Sequence, residues 1–70
     1  MTKGDKIKLR AELAGKCAAA MVSTIKDDED YWRIRHMATP DGLNVSQWIA
    51  RDAVKQADAL MAQLGISIED

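Results

Sequence analysis

Few residues of this chain are equipped for chemistry. Cys17 and His36 are its only thiol and imidazole, and together they supply at most half of a tetrahedral metal site. Cys17 falls mid-helix within an apolar arc, where a thiol is ordinarily inert packing. His36 has no orienting carboxylate nearer than the Asp30 region, so no general-base arrangement forms around it. The run Asp27, Asp28, Glu29, Asp30 lacks the alternating ligands and distal glutamate of a calcium loop. Asp41-Gly42 is a turn with no phosphate-cradling lysine after it. Catalysis, metal and cofactor are therefore not expected.

What remains is a surface. Tyr31, Trp32, Arg33, Arg35 and His36 place residue types typical of binding hot spots within a few positions, and Trp48 can join them. These six residues are the candidate partner-binding surface. The competing reading has Trp32 and Trp48 packing on each other, or on the connection, as a lid over the end of the helices.

The best-marked element that must position this surface is Leu43 to Gly65. Asn44 with Gln47 reads as a capping box, with Ser46 as the alternative cap. Ile49, Ala53, Ala57, Leu60 and Leu64 then recur on one side of a helix, with Val45 and Met61 on its shoulders. Gly65 ends it in the left-handed conformation. Small Ala53 and Ala57 allow another helix to approach closely. Trp48 points away from this stripe, toward Asp52 and Lys55.

Upstream, Met1 to Gly4 reads as a lead-in and Asp5 as the N-cap of a helix over about 6–26. Leu9, Leu13, Cys17, Ala20, Met21 and Ile25 form one apolar stripe, widened by Ala11, Ala14, Ala18 and Val22. At 100° per residue the apolar arc spans roughly 200°, against the ~100° needed to face a single core. One neighbouring helix cannot cover it, so Leu9, Leu13, Cys17, Met21 and Ile25 are the expected self-association face. Lys8, Glu12, Lys16, Ser23 and Lys26 fill the narrow polar side. Gly15 costs about 1 kcal/mol relative to alanine unless it permits a close crossing. Arg10 falls inside the arc. It either snorkels to solvent or, with the two helices antiparallel, pairs with Asp58 and sets their register.

The connection, residues 27–44, changes character. Carboxylates oppose the negative end of a helix dipole, so the acidic run breaks the first helix. Asp28 or Asp30 then caps a short helix over Tyr31–Met37, or the segment is an ordered loop. An extended reading also fits the alternation of Tyr31, Arg33, Arg35 and Met37, but a lone strand is unstable. Thr39-Pro40-Asp41-Gly42 is a turn.

The start Arg10-Ala11-Glu12-Leu13-Ala14-Gly15-Lys16-Cys17 and the ending Ile49-Ala50-Arg51-Asp52-Ala53-Val54-Lys55-Gln56-Ala57-Asp58-Ala59-Leu60-Met61-Ala62-Gln63-Leu64 together resemble a group of small bacteriophage and prophage proteins. Their pattern is an R-x-x-L-A-G helix followed by an I-A-x-x-A-V-x-x-A-D-A-L-[IM]-A-x-L helix. The resemblance covers about half of the chain and leaves out the long Tyr31–Gly42 segment. It implies a phage or prophage origin and the two-helix plan, places Arg10 and Asp58 together as the polar pair of the motif, and supplies no activity.

Size and charge set the outer bounds. Seventy residues make one domain, whose core supplies only about 3–5 kcal/mol without a staple. One cysteine excludes an intramolecular disulfide, which leaves oligomerisation, and a homodimer is expected. The net charge of −1 and pI near 5.7 argue against a general polyanion-binding field. The charged N-terminus resembles no signal peptide and no run is long enough for a bilayer, so a cytoplasmic location is expected. The expected architecture is all-α: an antiparallel hairpin of two long helices, about 6–26 and 45–64, assembled into a dimeric helical bundle. The expected function is binding of a host or phage protein. The alternatives are a nucleic-acid binder using Lys3, Lys6, Lys8, Arg10, Arg33 and Arg35, and an oligomer that sequesters a nucleotide-like ligand.

Overall fold

A computed structural model describes residues 1–68. Their regular structure is all helical: α1 (Lys3–Ser23), α2 (Asp28–Ala38), a 3-10 turn over Thr39–Asp41, and α3 (Val45–Gln63), with no strand among the described residues. The connection expected between two helices is thus largely a helix itself.

The start of α1 corrects the sequence reading. Thr2, not Asp5, is the N-cap. Its hydroxyl accepts from the Asp5 amide at 3.1 Å while the Asp5 carboxylate accepts from the Thr2 amide at 3.2 Å. This reciprocal capping box draws Lys3 and Gly4 into the first turn. The other end closes earlier than residue 26. The hydroxyls of Ser23 and Thr24 donate to the carbonyls of Ala20 and Met21 at 2.6 and 2.7 Å, satisfying acceptors that further helical turns would otherwise have taken. Ile25 consequently lies beyond the helix.

The cap of α2 is Asp27, ahead of both expected candidates, Asp28 and Asp30. Its carboxylate accepts from the Asp30 amide at 3.0 Å, and the Asp30 carboxylate accepts from the Lys26 amide at 3.2 Å. Asp28, Glu29 and Asp30 occupy the first turn and Arg35 and His36 the last, so both ends complement the helix dipole. The acidic run that is unfavourable at the end of α1 is favourable at the start of α2. At the far end, Gly42 takes φ 71°; its amide donates to Thr39 O at 2.9 Å and the Leu43 amide to Ala38 O at 3.2 Å. This is a Schellman closure, which needs the left-handed residue that glycine adopts without strain.

Helix α3 begins at the Asn44/Gln47 capping box, with bonds of 2.8 and 2.9 Å. It ends in a second Schellman motif: Gly65 has φ 74°, and Ile66 donates to Met61 O at 2.9 Å. Its buried residues are Val45, Ile49, Ala53, Ala57 and Met61, joined from α2 by Ala38. Leu60 and Leu64, expected on the stripe, are exposed instead. The reason is geometric. The buried residues follow each other at spacings of four, a row inclined by about 26° to the helix axis. The packing follows that row, which leads from Ala57 to Met61 and leaves Leu60 and Leu64 to one side.

Helix α1 packs on α3 and contributes no fully buried residue. The molecule measures 42 × 23 × 18 Å with a radius of gyration of 13.9 Å, against about 11 Å for a compact chain of this length. Its helices lie side by side instead of wrapping around a centre.

Candidate functional site: the aromatic and arginine face of α2

Asp27 and the acidic first turn start α2, and that start sets the direction in which its side chains leave the axis. Tyr31 and Trp32 lie edge to face, with ring centroids 6.3 Å apart and planes at 84°. Arg35 lies one turn beyond Tyr31, and its guanidinium carbon sits 4.6 Å from the Trp32 ring centroid. Trp32 is 57% exposed despite both contacts. The guanidinium lies over the ring face, so the cluster presents an apolar and cationic face to solvent. Beside it runs a groove of about 600 Å³ lined by Tyr31, Arg35, Leu43, Asn44 and Gln47 among others.

The six candidate residues do not form one patch. Tyr31, Trp32 and Arg35 are in contact, whereas Arg33 and Trp48 line a separate cavity of about 440 Å³, where α1, α2 and α3 meet, together with Met21, Asp30 and Ile34. Trp32 and Trp48 therefore form no stacked lid. Arg33 stands 3.8 Å from Asp30, one helical turn away. His36 is exposed near the end of α2.

Arg10 and Asp58 are brought together. Arg10 Nη2 donates to Asp58 Oδ2 at 2.9 Å and Nε lies 2.7 Å from Oδ1. The side chains are 40% and 49% exposed, so this is a solvated pair and not a buried one. It lines an open pocket of about 540 Å³ together with Gly65, Ile66 and Ile68.

Two features had no counterpart in the sequence reading. Arg51 Nη2 donates to Asp41 Oδ2 at 2.6 Å, tying the 3-10 turn to the second turn of α3; the signal is an acid and a base on either side of a cap, legible only once the turn geometry is known. The other is the three-helix cavity, whose lining comes from separate parts of the chain.

The residues expected to mediate self-association, Leu9, Leu13, Cys17, Met21 and Ile25, are all half-buried within the single chain. Among the described residues, no group of three or more histidine, cysteine or acidic side chains could hold a metal ion, and no helix is long and apolar enough to cross a membrane. Comparison with protein-family models, curated proteins and solved structures finds no match to this chain.

Proposed function

We propose that this chain is a small phage or prophage accessory protein that works by binding, without catalysis, in the cytoplasm of a bacterial host. In this reading α1 and α3 form an antiparallel hairpin, two copies assemble as a dimeric helical bundle, and α2 engages a host or phage protein. The observation that carries it is Trp32, majority-exposed yet in contact with both Tyr31 and Arg35. Tryptophan, tyrosine and arginine are the types enriched at the energetic centres of interfaces.

The arginines support protein binding over nucleic-acid binding, since Arg10 is paired with Asp58 and Arg33 stands 3.8 Å from Asp30, which offsets their charge. Affinity capture from a host lysate with the wild-type chain beside Trp32→Ala tests this reading. The expected outcome is a protein retained by the wild type and lost by the variant, with both chains showing the same helical circular dichroism. Loss of a hot-spot tryptophan costs about 2 kcal/mol or more in binding, roughly thirtyfold in affinity. Identical retained sets would remove α2 as the docking element.

A further inference from the structure

Helix α1 has two apolar faces and α3 covers one of them. Leu9, Leu13, Cys17 and Met21 are half-buried and centre on one direction of the helix. Ile7, Ala11, Ala14, Ala18 and Val22 centre roughly 120° further round, within an arc of roughly 80°. Ile7 is 50% and Val22 54% exposed and Ala11 is exposed, while Ala14 and Ala18 are half-buried. A Cβ added at Gly15, on the edge of this second face, would meet nothing within 4 Å.

We infer that this second face is the contact between two copies of the chain, antiparallel about a two-fold axis passing between Ala14 and Gly15. The inference rests on the dimeric reading above and names its surface, moving it from the Leu9/Leu13/Cys17 side to the Ile7/Val22 side. Three observations select a second copy as the occupant. The first is area. A compact monomer of 7.7 kDa exposes about 4,300 Å², whereas this chain exposes 5125 Å². The excess of about 800 Å² is spread over the whole elongated molecule and equals the area each partner buries in a standard stable interface.

The second is self-complementarity. A two-fold between residues 14 and 15 sets Ile7 opposite Val22 of the second copy and Ala11 opposite its Ala18, leaving small residues where the helices pass closest. An isologous contact requires such a match between the two halves of one surface. The third is charge. Lys3 and Lys8 lie at the start of α1, while the exposed Asp28 and Glu29 follow its end. Antiparallel copies bring these opposite charges to the same ends, and parallel copies would set like against like.

Disulfide trapping reads both the face and the direction. In a Cys17→Ala background, chains carrying Ala11→Cys and Ala18→Cys are mixed and oxidised mildly. The expected product is a cross-linked heterodimer, with each chain alone remaining uncross-linked. Position 11 and its own copy would be seven residues apart along the antiparallel seam, about 10 Å at 1.5 Å per residue, beyond the roughly 7 Å Cα separation a disulfide spans. Cross-linking of each chain with itself would overturn the antiparallel arrangement. Light scattering on the unaltered chain separates the remaining failures. A dimer in solution without any cross-link overturns this face and leaves the dimeric reading standing; a monomer at every concentration overturns both. Val22→Lys, at an exposed site that the folded chain does not need, is expected to weaken dimerisation at least tenfold with helical content unchanged.

Discussion

At the scale of single residues, Arg10 and Asp58 show how exposure limits an interaction whose distances are good. At 40% and 49% exposure the charges remain in a high-dielectric surrounding, so their coupling is about 0.2–1 kcal/mol and is screened by salt. Urea unfolding of Arg10→Ala, Asp58→Ala and the double variant is expected to give a coupling energy in that range at low ionic strength and a smaller one in 1 M salt. Additive effects would show that the two groups meet without contributing stability. The ion pair was suggested by the spacing of two polar residues along opposed helices; its solvation was not, because exposure depends on how far α1 is rotated about its axis. Trp32 and Arg35, three residues apart, meet because the segment is helical, which the sequence left open. Their separation from Trp48 depended on the path of the chain through the 3-10 turn.

Among the elements, local capping chemistry accounts for most boundaries. Asn44 and Gln47 satisfy each other's amides across three residues, and Thr2 with Asp5 does the same at the other end of the chain. Asn44→Ala is expected to lower stability by about 1 kcal/mol, read as a fall in the urea midpoint at unchanged slope. Gly65→Ala is expected to cost a comparable amount, since the φ of 74° disfavours any side chain while leaving room for it. A midpoint unchanged by Gly65→Ala would mean that the Schellman turn relaxes without loss. Helix α2 was the ambiguous element because its sequence alternates like a strand and is shorter than an isolated helix can sustain. The Asp27 and Asp30 bonds and its packing on α3 decide the matter.

For the whole molecule, elongation is the governing fact. A chain whose α1 buries no residue completely and whose core consists of Ala38 and one row on α3 has little apolar area to set against conformational entropy. If two copies share the outer face of α1, association is linked to folding, and the melting temperature rises with protein concentration. Differential scanning calorimetry across a hundredfold concentration range is expected to show that rise for the wild type and to lose it for Val22→Lys.

The sequence by itself determined what depends on neighbours three or four residues apart: the helical class, the start and stop of α3, and the excessive width of the α1 arc. Capping boxes, glycine turns and the 3.6-residue period act at that range. Only the tertiary structure decided which side of the α1 arc meets α3, why Met61 replaces Leu60 and Leu64 in the core, and that Trp32 and Trp48 face different surroundings. Those outcomes follow from how α1, α2 and α3 pack on one another, which is settled by contacts between residues distant along the chain.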